Sequence, residues 1–153
     1  MSAIKTGYVI TTDTASLSTI KCDEIWLITR GGKDIPNTIR VRGLAPSETL
    51  FNKYLNEWRE RDPELWWPLY EKQFSIELEA EEKLIHLRKL WKLVKQGKVI
   101  ALACFCKDSR YCHRTIIAHY LNQAGVYVEE VSENSDAGPI YKQLTLSFEA
   151  GEN

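Results

Sequence analysis

The residues of this chain with the greatest chemical potential lie between positions 104 and 114: Cys104, Cys106, Cys112, His113 and Arg114. A thiolate is a nucleophile and a metal ligand, an imidazole is a general acid or base, and a guanidinium binds anions. One apolar run comes directly before this cluster and another follows it, which indicates a buried strand, a polar loop and the first turn of a helix. In α/β proteins, ligands usually bind at such a junction, outside the carboxyl end of a strand.

Nucleophilic catalysis is one interpretation of the cluster. A thiol at a helix N-terminus beside cationic groups has a lowered pKa, because the helix dipole and the charges stabilise the thiolate. Cys112 fits this description, with Cys104 in the same pocket and His113 as the acid or base. The other interpretation is that Cys104 and Cys112 are small buried apolar residues, as free cysteines often are. The sequence leaves both open.

A structural zinc site is a further alternative, because three thiols and an imidazole supply enough ligands for that ion. The spacing argues against it. Structural sites usually leave two to four residues between paired ligands, but one residue separates Cys104 from Cys106. In a continuing strand the Cα atoms of those two residues would lie roughly 6–7 Å apart, and adjacent Cys112 and His113 would have difficulty reaching one ion. We therefore expect no metal and no other cofactor.

Basic residues near the cluster are candidates to bind an anionic ligand: Arg30, Arg42, Lys107 and Arg114. Arg30 ends a predicted strand, just before a pair of glycines, and would point toward the same sheet edge as the cysteine loop. Arg42 belongs to an irregular basic segment that would fold over the site, where its planar guanidinium suits phosphate or carboxylate. The alternative is that these residues are solvated surface charges.

Strand and helix patterns alternate along the chain and would position these residues. β-Branched and apolar runs predict strands at residues 4–12, 24–29, 99–104 and 126–131. Helical spacing and capping residues predict helices between 47 and 96 and from about 112 to 124. The fold class is therefore α/β, a three-layer sandwich with a small, largely parallel sheet of about four strands and a long helical crossover. Residues 139–149 show no clear hydrophobic periodicity, and we expect a short helix or an edge strand there.

The aromatic residues of the central helices are spaced as a buried face would be. Two stripes of apolar side chains run through this region: Trp67, Tyr70, Phe74 and Leu78, then Leu84, Leu87, Trp91 and Val94. At helical spacing and beside leucines, such residues are typical of a core rather than of base stacking.

Length and composition restrict the function classes. The chain of 153 residues fits a single domain, and its net charge of −1 disfavours non-specific binding of nucleic acid. The N-terminus lacks the pattern of a signal peptide, and no apolar run is long enough to cross a membrane. Three clustered cysteines are typical of reduced thiols in a cytoplasmic protein. The sequence does not determine an oligomeric state.

The same residues resemble a known family, the bacterial and phage proteins that share domain of unknown function 488. Its members carry a cysteine some seven residues before a Cys-His-Arg at a strand-to-helix loop, as Cys104 and Cys112-His113-Arg114 do here. Cys106 departs from that pattern and resembles instead a phage-borne family with C-W-C-x4-C-H, one residue shorter in spacing. The resemblance covers about residues 24 to 128. Its other matches are Arg30, Leu44-Ala45-Pro46-Ser47, Trp67, Tyr70, Phe74 and Glu77-Leu78.

The resemblance implies a compact α/β fold with an active-site-like pocket at the Cys104–Arg114 loop, but no particular reaction. Combined with the residues themselves, it leads us to expect a cytoplasmic protein that binds a small anionic ligand there, a nucleotide or derivative being the favoured class. Cysteine chemistry would assist. The alternative is a non-enzymatic module that sequesters a small signal molecule or binds a host protein or nucleic acid. The zinc site is the second alternative.

Overall fold

A five-stranded parallel sheet is the centre of the computed structural model, which describes residues 6–106 and 108–132. The order of the strands across the sheet is β3-β2-β4-β1-β5. The strands are β1 (Tyr8–Asp13), β2 (Glu24–Leu27), β3 (Ile39–Arg40), β4 (Val99–Cys104) and β5 (Val128–Val131). The helices are α1 (Glu48–Lys53), α2 (Pro63–Leu78), α3 (Glu81–Lys95) and α4 (His113–Gln123).

The two longest strands form the middle of the sheet. β1 and β4 run parallel in a register that pairs Tyr8 with Val99 and Asp13 with Cys104. Because parallel strands end at one edge, the loops after β1, β2 and β4 meet there. The residues of β4 are buried from Ile100 onward, as expected for a central strand covered on both faces. Cys104 therefore ends a rigid element.

The architecture is an α/β sandwich, as the sequence predicts, with one strand more than expected. The fifth strand is β3, which pairs only Ile39 and Arg40 with Trp26 and Leu27 of β2. Two residues are too few to display the alternation that marks a strand, so this segment has the sequence pattern of a loop. The segment 139–149 lies outside the described residues.

Helices cross from β2 to β4 in the predicted region. Ser47 caps α1 and Asp62 caps α2, whose first residue is Pro63, as their sequence positions indicate. Between α1 and α2, residues Tyr54–Trp58 form a π-helical turn. Gly97 and Gly125 have a φ of +90° where α3 and α4 end, a conformation that favours glycine.

The buried face of α3 differs from the expected stripe. Lys83, Leu87, Leu90 and Val94 are buried, whereas Trp91 is 42% exposed. Both sets fit a period of 3.6, so spacing alone does not separate them, and a lysine is a poor candidate for the core. Lys83 is accommodated because its Nζ donates hydrogen bonds to the carbonyl oxygens of Gly43 and Ala45, at 3.1 and 2.5 Å.

Buried side chains from the sheet and from all four helices join in a single hydrophobic cluster among the described residues. No helix in the described part of the chain is both long enough and apolar enough to cross a membrane.

Candidate functional site

Three thiols converge at the carboxyl edge of the sheet. Cys104 ends β4, Cys112 directly precedes α4, and Cys106 lies in the loop between them. The Sγ atoms of the three residues all lie within 4.8 Å of one another, and those of Cys104 and Cys112 are 2.9 Å apart. Cys104 and Cys112 are buried, whereas Cys106 is exposed. We call these three residues the thiol cluster.

Arg114 connects the thiol cluster to the far edge of the sheet. One end of its guanidinium donates to Cys104 Sγ at 2.9 Å and to the carbonyl oxygen of Cys106 at 2.6 Å. Its other nitrogens donate to the carboxylate of Glu130 on β5, at 2.9 to 3.3 Å. The hydroxyl of Thr11 on β1 donates to the same carboxylate at 2.7 Å. The side chain of Arg114 is fully buried and that of Glu130 is 2% exposed, so this is a buried ion pair.

These contacts give the three thiols different pKa values. Burial raises the pKa of Cys104, and hydrogen bonding to the other two thiols raises that of Cys106 well above its ordinary value. Burial also acts to raise the pKa of Cys112, but hydrogen bonds from Cys104 and Cys106 and the charge of Arg114 outweigh it. The pKa of Cys112 is therefore well below that of an ordinary thiol. These contacts favour the thiolate form at Cys112 over that at Cys104 or Cys106.

Arg114 and Glu130 respond to burial in different ways. Burial acts to lower the pKa of Arg114, but the negative charge of Cys112 and the hydrogen-bonded carboxylate of Glu130 outweigh it and raise that pKa. Burial raises the pKa of Glu130, and the hydrogen bonds from Arg114 and Thr11 offset part of that rise. The guanidinium therefore stays charged beside the thiols.

His113 is held as a neutral imidazole. Its Nε2 lies 2.6 Å from the carbonyl oxygen of Ile28, and because a carbonyl only accepts, Nε2 carries the proton. Its Nδ1 is then an acceptor, 3.8 Å from the Sγ of Cys112. Burial lowers the pKa of His113. The ring of Phe74 packs edge-on against the imidazole, with 5.5 Å between the ring centres.

A cavity of about 260 Å³ opens beside the thiol cluster. Its wall includes Cys104, Cys106, Cys112 and His113 on one side and the glycine turn that follows β2 on the other. Six aromatic side chains also line it: Phe51, Tyr54, Trp66, Tyr70, Phe105 and Tyr111. Tyr54 and Tyr70 both pack edge-on against Trp66, with ring centres 5.3 and 5.9 Å apart. The cavity therefore offers flat apolar surfaces next to the thiol cluster.

Arg30 is the cationic residue of the cavity wall. It follows β2 and is half-buried, and its Nε donates to the carbonyl oxygen of Pro46 at 3.0 Å. The same short segment accepts the hydrogen bonds of Lys83 described above. Backbone carbonyls before α1 therefore orient two cations, which gives a structural reason for the Leu44-Ala45-Pro46-Ser47 motif.

The predicted site residues are placed as follows. Cys104, Cys112, His113 and Arg30 all line the cavity. Arg114 does not line the cavity, because its guanidinium makes buried hydrogen bonds to the thiol cluster and to Glu130 instead. Arg42 is exposed, and its Nε donates to the carbonyl oxygen of Arg30 at 3.3 Å. Lys107 lies outside the described residues.

Sequence reasoning missed Glu130, Thr11 and the aromatic wall. The signal for Glu130 is a pair of adjacent carboxylates, Glu129 and Glu130, in a strand: alternation turns one of them inward, where it needs a buried partner such as Arg114. The signal for Thr11 is weaker, because a threonine is ordinary in a strand. The aromatic residues at helical spacing do belong to the core, and some of them also face the cavity.

Comparison with known proteins gives one family match. The profile of the DUF488-N3a family, described as the active DUF488-N3 subclade, matches residues 10–125. The match therefore includes the thiol cluster, His113, Arg114 and Arg30. No curated protein and no solved structure matches the chain.

Proposed function

The chain belongs to the DUF488-N3a family, and from that premise and the site geometry we propose that it is a cysteine-dependent enzyme acting on a small planar anionic ligand, a nucleotide or its derivative. The description of the subclade as active agrees with a catalytic role. One observation carries the proposal: Cys112, at the start of α4 and hydrogen-bonded to cationic Arg114, shares a cavity wall with aromatic rings and Arg30.

Cys112 is the proposed nucleophile. Its sulfur adds an electron pair to an electrophilic carbon of the ligand, and the displaced group leaves with the electrons of the broken bond. Water then cleaves the thioester-type link, which releases product and returns the thiolate and one proton. The acceptor Nδ1 of His113, 3.8 Å from the sulfur, is placed to take that proton. A reduced Cys112 requires a reducing compartment, so the proposal places the protein in the cytoplasm.

The cavity favours a ligand with a flat ring. Aromatic rings stack on nucleobases, and a volume of about 260 Å³ suits a small molecule rather than a peptide. Arg30 supplies the positive charge for a phosphate or carboxylate on that ring, because guanidinium presents a planar fork of donors. Arg114 supports the thiolate instead of contacting the ligand.

Alkylation kinetics test the nucleophile. Iodoacetamide is added at several pH values to the reduced, metal-free protein, and peptide mapping by mass spectrometry follows each cysteine. Cys112 should react at least tenfold faster than Cys22 at pH 7, because its neighbours lower the pKa of Cys112 whereas burial raises the pKa of Cys22. Cys112→Ser should remove the fast phase, and Cys22→Ser should leave it unchanged. A rate at Cys112 equal to that at Cys22 contradicts the proposal.

Binding of adenosine, guanosine, cytidine and uridine monophosphates tests the ligand class. We expect at least one of them to raise the melting temperature and to slow the alkylation of Cys112. Arg30→Gln should weaken that binding about tenfold or more, whereas Arg42→Gln, at an exposed position, should not. Binding together with an inert Cys112 would favour a non-enzymatic module. No binding by any of the four would contradict a nucleotide ligand.

A further inference from the structure

We propose that the thiol cluster binds one thiophilic metal ion of the Zn²⁺ class through Cys104, Cys106 and Cys112, with its fourth coordination position facing the aromatic cavity. The metal-bound and the free, reactive forms of Cys112 are alternative states, and the inference needs the three sulfurs to converge but no reaction at Cys112. It assigns a function to Cys106, which the proposed chemistry does not use.

The distances fit a metal site of this kind. A Zn–S bond of about 2.3 Å places the sulfurs of a tetrahedral site roughly 3.8 Å apart. All three Sγ atoms lie within 4.8 Å of one another, so small rotations of the side chains bring them onto one ion. Cys104 and Cys112 start 2.9 Å apart and would separate by about 0.9 Å to reach that geometry.

The path of the loop answers the argument that one residue between Cys104 and Cys106 is too short a spacing for a zinc site. That argument assumes that the strand continues through Cys106, but β4 ends at Cys104 and the chain bends at Phe105. Cys106 thereby turns back toward the end of β4. The turn at Ser109–Tyr111 then returns the chain to Cys112. A C-x-C pair can therefore share an ion with a third cysteine six positions later.

The positive charge of Arg114 balances the net charge of the thiol cluster with its bound ion. Three thiolates and a divalent cation carry a net charge of −1, and the guanidinium of Arg114 lies 2.9 Å from Cys104 Sγ and 3.5 Å from Cys112 Sγ. N–H groups that donate to metal-bound sulfur stabilise the ligands and orient them. Glu130 fixes that guanidinium from its other side.

Three protein ligands leave one position open. His113 Nδ1 is not among the donor atoms that lie within 4.8 Å of one another, and its ring is held by Ile28. All three cysteines line the cavity, so the fourth position faces the space where a ligand would lie. Zinc sites with three protein ligands and an open fourth position are typical of catalytic rather than structural zinc.

Cobalt titration of the reduced protein tests the site. Co²⁺ should produce a thiolate-to-cobalt charge-transfer band that saturates at one equivalent, and Zn²⁺ should displace the Co²⁺ and abolish the band. Cys106→Ser changes an exposed residue and should lower the Zn²⁺ affinity at least tenfold and weaken the band. Cys22→Ser, the matched control, should leave both unchanged. One equivalent of Zn²⁺ should also slow alkylation of Cys112 at least tenfold.

Three results would overturn the metal site: no charge-transfer band at stoichiometric Co²⁺, a band that Cys106→Ser leaves intact, or a band that Cys22→Ser removes. Each of them leaves the alkylation test of the metal-free protein untouched. Failure of the metal site is therefore distinguishable from failure of the proposed nucleophile.

Discussion

At the scale of single residues, the acidity of Cys112 is created by its neighbours. An isolated thiol buried to this extent would be harder to ionise than one in water. Two thiols and a guanidinium point at Cys112 and reverse that effect. A cysteine motif in the sequence therefore identifies the thiol, whereas the groups that lower its pKa come from a loop and a helix that the fold brings together.

The neutral state of His113 makes stability depend on pH. Its pKa is lowered in the folded protein, so between the folded and unfolded pKa values the unfolded chain binds the extra proton. The free energy of unfolding should therefore fall as pH drops below about 6.5, by up to about 1.4 kcal/mol per pH unit. His113→Gln should flatten this dependence, as urea unfolding at pH 5 to 8 would measure.

The matched control for this prediction is His119→Gln, an exposed histidine on the same helix, which should leave the pH dependence as in the wild type. An identical slope in the His113→Gln variant would show that folding does not lower the pKa of His113.

At the scale of elements, hydrogen bonds from Ser47 join the start of α1 to α2. The backbone N–H of Ser47 donates to Glu77 Oε1 at 2.9 Å, and its hydroxyl donates to Glu77 Oε2 at 2.5 Å. The same hydroxyl accepts from the N–H of Leu50, as a helix cap does. The segment that orients Arg30 is thereby fixed to the helix that supplies Tyr70 to the cavity wall.

Ser47→Ala should therefore destabilise the protein by about 1–2 kcal/mol, because it removes the cap and one donor to Glu77. Urea unfolding measures the change. Thr49→Ala, at an exposed position in the same helix, should change the free energy of unfolding by less than about 0.5 kcal/mol. Equal effects of the two variants would contradict a specific role for Ser47.

Glu130→Gln should be more costly, because it removes the carboxylate that pairs with the buried guanidinium of Arg114. Breaking a buried pair by removing one partner costs about 3–5 kcal/mol. Glu129→Gln changes the exposed neighbour on the same strand and serves as the control, with an expected effect below about 0.5 kcal/mol. A similarly small effect at Glu130 would show that the ion pair is not formed in solution.

At the scale of the whole molecule, close packing of the chain at the amino end of the sheet limits which residues are tolerated. Gly7 precedes β1, and its N–H donates to the carbonyl oxygen of Val94 at 2.8 Å. A Cβ at Gly7 would lie 1.8 Å from the backbone carbonyl oxygen of Lys98, so the two segments would have to separate. The central strands β1 and β4 begin at this contact.

Gly7→Ala should lower the free energy of unfolding by about 2 kcal/mol or more, because backbone rather than a flexible side chain must move. Gly31→Ala is the matched control, since a Cβ there meets no atom within 4 Å. Melting temperatures of the two variants measure the difference. Equal melting temperatures would contradict the tight contact at Gly7.

Sequence reasoning predicts the helices and strands of this fold better than it predicts which face of each one is buried. Parallel strands and helix caps follow from β-branched runs, Ser47 and Asp62, because those signals are local. The burial of Lys83 and the pairing of Glu130 with Arg114 depend on atoms distant in the chain, so no local pattern identifies the partners of these two side chains. The same holds for the site. The position of the cysteine loop is predictable, but the convergence of Cys106 on the other two sulfurs depends on a bend.

The Arg114–Glu130 pair has a consequence for the dynamics of the sheet. β5 lies at the edge of the sheet and pairs only with β1 among the described strands, and edge elements open at lower free energy than the core. Each opening of β5 withdraws Glu130 and frees the guanidinium that holds the thiolate. Because that guanidinium lowers the pKa of Cys112, faster exchange of the β5 amides should accompany lower reactivity of Cys112, which makes one thiol a reporter of local unfolding at the sheet edge.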